Sequence, residues 1–402
     1  MRILLSAGEV SGDVAGARLA RELRRRREEV SLFGLGGPRM AEAGVEILRD
    51  TNALGTVGIS ESFRVVPGLA RAFASLRRRV LASPPDAAVL IANDIFHVVL
   101  GRWLRSRGVP TISYFPPQVW VWRSLARAFA PSFDEILTSF PDEERVWRAA
   151  GSSTTFVGHY LGDLLVPATE EERRRAREAF GLSSGPVVAI LPGSRRQEVG
   201  RLAPVLLEAA RLLHQRDGSI RFLLPVADSL FAPQIEAEVA RRGLEGAVMT
   251  TASSHDALRA ADVAILASGT ASLEAALLGT PMVIAYRLAA LTMGVVRSAI
   301  ALRLIDSDTV GLPNLVLGRR AIPEHIQSRA SGAELAAAAW QLIEDESLRN
   351  EQRRALADVS RLLFAGGSDA RAAEAVLAAA EGRPVRAPAF GGAVATEEGS
   401  GR

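Results

Sequence analysis

Asp262 to Tyr286, DVAILASGTASLEAALLGTPMVIAY, packs a strand, a turn of small residues, a helix and a second strand into one short run, and no other stretch limits the fold so tightly. Val263–Ala267 is continuously apolar, which suits a strand covered on both faces, as in a parallel sheet under helices. Ser268, Gly269 and Thr270 carry little side-chain bulk, so their amides can approach an anion closely, and a helix from Ala271 to Leu278 adds the positive end of its dipole. Glu274, about one helical turn beyond Thr270, is placed to reach a ribose hydroxyl beside such an anion. Gly279-Thr280-Pro281 stops the helix before the strand Met282 to Tyr286. Spacing alone leaves two readings open, a phosphate seat or a strand–helix–strand turn with no ligand.

A length of 402 residues predicts two or three domains with substantial cores. With no Cys, disulfides, thiolate nucleophiles and cysteine metal sites are excluded. His97, His159, His214, His255 and His325 are scattered, none at the i, i+4 spacing of a zinc helix, so no metal site is predicted. The sequence contains no Lys, and all 48 basic residues are Arg. That excludes a Walker lysine and Schiff-base chemistry and leaves any phosphate clamp to Arg and backbone amides. A formal charge of only +3 means that the pI near 10.0 reflects a flat titration curve, not a nucleic-acid binder. No segment reads as a membrane span or a signal peptide, which predicts a cytoplasmic protein.

Met1 to Ser6 reads as a strand and Ala7 to Asp13 as a turn into a helix ending near Arg25, similar to the first turn of a Rossmann-like unit but without GxGxxG, which disfavours a dinucleotide. Ser11 or Asp13 is equally readable as a helix cap. Leu32 to Leu35 and Ala87 to Ala92 are further strands, with a less regular region between them. There, Phe63 to Leu81 interleaves apolar residues with Arg71, Arg77, Arg78 and Arg79, the pattern of a helix at a membrane surface or of a surface helix on its own sheet, with Pro67 expected to mark its start. Strands at Thr111 to Phe115, Glu135 to Ser139 and Thr154 to Val157 follow, and His159 sits beyond the last as a catalytic or a structural residue.

The charged run Pro167 to Arg177 marks the predicted boundary between a first unit, 1–165, and a second, 166–382, with 383–402 as a disordered tail. The second unit opens on strand Val187 to Leu191 and the turn Pro192 to Glu198, where Arg195 is placed to clamp a diphosphate. Strands near Phe222 to Val226 and Val248 to Thr250 lead back to the opening stretch, so one unit holds two phosphate-competent turns. An apolar, helix-like span runs from Tyr286 to about Leu304.

AGEVSGD (Ala7 to Asp13), GLGGPRM (Gly34 to Met40), PPQVWVWR (Pro116 to Arg123), FVGH (Phe156 to His159), LPGSRRQE (Leu191 to Glu198), SGTASLE (Ser268 to Glu274) and LPNL (Leu312 to Leu315) stand in the order seen in lipid-A-disaccharide synthases, and the chain resembles that family to about residue 380. The resemblance implies an α/β glycosyltransferase B fold, two Rossmann-like parallel-sheet domains facing a cleft, with acceptor and lipid on the N-terminal side and UDP-sugar on the C-terminal side. It implies an inverting, metal-independent transfer from UDP-2,3-diacylglucosamine to 2,3-diacylglucosamine 1-phosphate (lipid X), with no cofactor, at an anionic inner-membrane surface, and with a homodimer as a candidate assembly. A diverged nucleotide-sugar enzyme with another acceptor or epimerase-like chemistry, and a non-catalytic homologue binding UDP-sugar or lipid, stay open beside it.

By the same resemblance Gly193, Ser194, Arg195, Ser268, Gly269, Thr270, Glu274 and Asn314 are donor contacts, Ser11, Gly12 and Asp13 face the cleft, and Glu61 matches an acidic family position. The family's IDxPDFN-like acceptor segment reads here as Ile91-Ala92-Asn93-Asp94-Ile95-Phe96-His97, with Ala92 and Ile95 in place of both expected aspartates. Asp94, Glu9 and Glu61 are the carboxylate candidates for the general base, and His97 is a further one.

Overall fold

Short strands with apolar centres followed by amphipathic helices bury both faces of the sheet they enter, and the chain builds two such sheets. The computed structural model describes residues 1–51, 59–92, 94–118, 123–182, 184–226, 231–288, 309–363 and 366–385, the side chains of 59–65 and 94 excepted. The first sheet contains β1 (Arg2–Ala7), β2 (Ser31–Gly36), β3 (Glu46–Asp50), β4 (Ala87–Ile91), β5 (Thr111–Tyr114), β6 (Glu135–Thr138) and β7 (Thr154–Phe156), in the order β3-β2-β1-β4-β5-β6-β7. The second contains β8 (Val187–Leu191), β9 (Arg221–Pro225), β10 (Val248–Thr251), β11 (Val263–Ala267), β12 (Met282–Tyr286) and β13 (Glu324–Ile326), in the order β10-β9-β8-β11-β12-β13. Every pairing is parallel.

The alternation that hides both faces is visible along β8. Val187, Ala189 and Leu191 enter one hydrophobic cluster, and Val188 and Ile190 enter another. In each sheet the winding reverses beside its first strand, between β1 and β4 and again between β8 and β11, and ligands of open parallel sheets lie at such reversals, beyond the strand C-termini.

The helix Ser368–Ala380 returns to the first sheet and packs on α1 (Val10–Arg26). Arg18 bonds Asp369 at 2.6 Å, Arg26 bonds Glu374 at 2.7 Å and Arg27 bonds Glu381 at 2.7 Å. One cluster therefore runs through Leu5, Leu19 and Leu23, on through Val376, and into Leu273 and Leu356 of the second lobe. A boundary at 166 assigns this helix to the second unit by sequence, whereas its apolar face is buried against the first.

The basic helix α3 runs Ile59–Ala82 and contains Pro67 instead of starting at it. A proline inside a helix forfeits one donor without ending the helix when the flanking turns are held, and here Ala72, Leu76 and Val80 are buried on the first sheet. The unpredicted strands β3 and β13 are short edge strands of mixed polarity, EILRD and EHI. The helix-like span expected after Tyr286 and most of the tail (289–308 and 386–402) lie outside the described residues, as do Val119, Trp120, Val121 and Trp122 of the aromatic motif.

Candidate active site

Four turns from the sequence meet at the two reversal points. The turn after β1 supplies Glu9, Ser11, Gly12 and Asp13, and the turn after β4 leads into α4 (Asp94–Arg105). The turn after β8 supplies Gly193, Ser194 and Arg195, and the turn after β11 supplies Ser268, Gly269 and Thr270. The two crevices touch: Arg195 Nη2 donates to Glu9 Oε2 at 2.7 Å, joining the lobes across the cleft.

At β1, the Glu9 carboxylate also accepts from Ser11 Oγ at 2.6 Å. A Cβ on Gly12 would lie 3.2 Å from the Ile91 carbonyl oxygen, so the glycine lets α1 start hard against β4. Asp13 is buried, and its carboxylate accepts from the amides of Gly37 (2.8 Å), Met40 (3.0 Å) and Arg39 (3.1 Å). Its carboxylate caps the N-terminus of the short helix α2 (Pro38–Glu42).

At β4, Ala92 adopts a left-handed φ of 56°, and its carbonyl accepts from His97 Nδ1. The other ring nitrogen, Nε2, then accepts from Ser6 Oγ at 2.9 Å. His97 is 2% exposed, and burial pulls its pKa down to about 4. It is a neutral strut under the acceptor turn, not a base in the cleft. The Asp94 and Glu61 side chains lie outside the described residues, while their backbones fall at the start of α4 and in the first turn of α3. His159 is likewise structural. It accepts from the Leu161 amide at 3.2 Å, stacks on Tyr160, and is driven by burial to a pKa of about 3.

At β8, Gly193 takes a φ of 112° that favours glycine, and the Glu198 carboxylate accepts the Ser194 and Arg195 amides at 3.3 Å each. Arg195 Nη1 also bonds Glu198 at 2.8 Å. Desolvation lowers the Arg195 pKa, but the Glu9 and Glu198 carboxylates outweigh it and hold the group above its ordinary value.

At β11, Gly269 takes a φ of 149°, and a Cβ there would meet no atom within 4 Å, so the space before the helix Thr270–Leu277 is open. Ser268 Oγ donates to the Val310 carbonyl at 2.6 Å. Glu274 lies 3.4 Å from Ser254 Oγ and 3.4 Å from His255 Nε2. Asn314 does not enter the crevice. It is 1% exposed; Nδ2 donates to Ile322 O (2.8 Å) and Glu324 (2.7 Å), and Oδ1 accepts the Ala321 and Ile322 amides at 2.9 Å each. Glu324 in turn accepts the Val310 (3.0 Å) and Gly311 (2.9 Å) amides, so Asn314 fixes the strap on which Ser268 leans.

The hollow between the β8 and β11 turns is lined by Arg195, Glu198, Ser268, Tyr286 and Arg287 among others. Sequence reasoning missed Glu198, Tyr286 and Arg287 as lining groups, although the end of β12 beside a phosphate-competent turn was a usable signal. A larger hollow of about 370 Å³, lined by Arg320, Glu324 and Arg329 among others, lies at the β13 edge, and none of the predicted site residues lines it. Among the described residues no three His, Asp or Glu side chains converge to hold a metal.

The sequence matches the family described as lipid-A-disaccharide synthetase over residues 3–377. The lipid-A-disaccharide synthase of Geobacter sulfurreducens is 40% identical over 378 residues, covering 94% of this chain and 96% of the relative. The Pseudomonas putida protein of the same name is 37% identical over 377 residues, 94% of this chain and 97% of that one. Among solved structures, a UDP-N-acetylglucosamine 2-epimerase from Listeria monocytogenes, so described provisionally, aligns with a TM-score of 0.67 at 11% identity over 97% of this chain and 99% of its own. The calicheamicin glycosyltransferase aligns with a TM-score of 0.56 at 15% identity over 94% and 98%. At such identities these two speak to the fold alone.

Proposed function

The chain belongs to the lipid-A-disaccharide synthase family of glycosyltransferases, and from that premise we propose that it joins UDP-2,3-diacylglucosamine to lipid X, releasing UDP and inverting the donor's anomeric carbon. The observation that carries the proposal is the open Gly269 turn at the N-terminus of a helix, in a hollow that also holds Arg195. Amides, helix dipole and guanidinium together match a diphosphate. The same groups meet the charge that develops on departing UDP, which makes the proposed transfer metal-independent. The first lobe is then the acceptor side and the second the donor side.

In the proposed step an acceptor hydroxyl oxygen forms the new bond to the anomeric carbon while the bond from that carbon to the β-phosphate oxygen breaks. The electron pair leaves on UDP and the hydroxyl proton passes to a carboxylate. Asp94 is the first choice, since its backbone opens α4 at the end of β4. Glu9 is second, its carboxylate already engaged by Arg195 and Ser11. Glu61 is third. Asp94→Asn is expected to keep UDP affinity and lower turnover by about a hundredfold or more. Equal activity in that variant removes Asp94 as the base.

The deciding assay is UDP release from UDP-2,3-diacylglucosamine with and without lipid X. Release that requires lipid X supports the transferase. Conversion of the UDP-sugar without lipid X points to epimerase-like chemistry, and UDP binding with no turnover points to a binding protein.

A diacylated substrate must be taken from a bilayer, and peripheral attachment to an anionic inner membrane is part of the proposal. Among the described residues no helix is long and apolar enough to cross a membrane. Val66 on α3 and Ile95 and Val99 on α4 are exposed, as are Arg71, Arg77 and Arg78 on α3. Apolar side chains with cations around them suit an anionic interface.

A further inference from the structure

Every carboxylate-bonded guanidinium in the donor hollow is already neutralised by its partners, and one guanidinium there is not. Arg195 is held by Glu9 and Glu198. Arg287 lines the same hollow, yet among the described residues it has no hydrogen bond or ion pair, and its Nε is sealed from solvent without a partner. A buried, unpaired cationic donor costs free energy in a ligand-free protein, and such a group persists where a ligand supplies the missing acceptor.

The register says which ligand atoms lie nearby. β11 and β12 pair with Ala267 opposite Ala285, and the Ser268 amide donates to the Ala285 carbonyl at 3.1 Å. Arg287 follows β12 directly after Tyr286 and lines the same hollow as Ser268, the residue before Gly269, which caps the N-terminus of Thr270–Leu277. Resting on the donor-site reading above, we propose that Arg287 is a binding residue for the donor's diphosphate, the cation kept free for it while Arg195 is held by Glu9 until the ligand arrives. A guanidinium serves this role well because its fork bonds two phosphate oxygens at once and stays charged when desolvated.

The test is titration calorimetry of the full-length wild type, Arg287→Gln and Arg287→Lys with UDP and, separately, with uridine, alongside the ligand-free melting temperature of each. Arg287→Gln is expected to weaken UDP at least tenfold, leave uridine within twofold, and melt no lower than wild type, since a purely structural arginine would lower it. Arg287→Lys is expected to recover part of the UDP affinity through its charge. UDP affinity within twofold of wild type in Arg287→Gln overturns the assignment, as do equal losses for UDP and uridine. A folded wild type that fails to bind UDP overturns the donor-site reading itself and this inference with it.

Discussion

Asn314, Asp13 and His97 show what a residue's type and position reveal and what they conceal. The sequence marks each as polar, but the groups that absorb its hydrogen-bonding capacity lie outside its own turn, 7 to 10 residues on for Asn314 and much farther for Asp13 and for the Ser6 partner of His97. Asp13 bonds amides 24 to 27 residues away, and His97 bonds Ser6, 91 residues away. No local pattern carries that information. Arg195 and the Gly269 turn were legible because small residues and a cation between strand and helix are local features. Arg195→Ala and Glu274→Gln are each expected to weaken UDP binding by about 1.5 to 3 kcal/mol with the fold kept, and unchanged affinity by calorimetry in both would sink the donor site. Glu9→Gln should have the opposite sign, tightening UDP by releasing Arg195. His97 adds a pH signature. Its ring is neutral in the fold and protonates when unfolded, so its share of stability is full above about 6.5 and is lost as pH falls toward about 4. Between pH 7 and 5 the loss is about 2 kcal/mol. Urea melts of His97→Asn at both pH values should show that much less acid sensitivity than wild type; an equal slope would contradict the buried neutral ring.

The strands at the winding reversals were readable as elements because each carries an apolar run, three residues long in β1 and five in β4, β8 and β11, with turn signals at its ends. The edge strands β3 and β13 were not, because their charged residues blur into the composition of a loop, whereas the edges β7 and β10 were read from their β-branched runs. Helix α3 combines both lessons: its basic amphipathic pattern is plain, while its start is obscured by a proline that the packed turns tolerate. One face of α3, through Leu76 and Val80, belongs to the sheet, and Arg71, Arg77 and Arg78 point outward. Exchanging those three arginines for glutamate should abolish sedimentation with anionic liposomes and leave the melting temperature nearly unchanged. Wild-type binding should itself weaken with salt, as screened charges require. Undiminished binding by the triple variant would leave α3 as a structural element only.

The two sheets repeat one winding order, and that much of the whole molecule follows from the recurrence of strand, turn and helix in the sequence. The return of Ser368–Ala380 to the first lobe does not, because its alanine-rich apolar face fits either lobe equally well by pattern. Leu377, buried in that helix, joins the cluster shared by both lobes. Leu377→Ala should cost about 2 to 5 kcal/mol and lower one common thermal transition. Two separated transitions by calorimetry, with only one displaced, would show that the lobes do not share a core. Where the chain comes back, Asp163 accepts from the Ser368 amide and hydroxyl at 2.6 Å each and from the Gly367 amide at 3.2 Å. Asp163 lies on the outgoing crossing and Ser368 on the returning one, so the two connections are riveted together at a single point. A molecule built this way has an axle. With the Glu9–Arg195 pair as a clasp at the other edge, the lobes are tied at two places, and a change in their relative position that keeps the first tie has to turn about it.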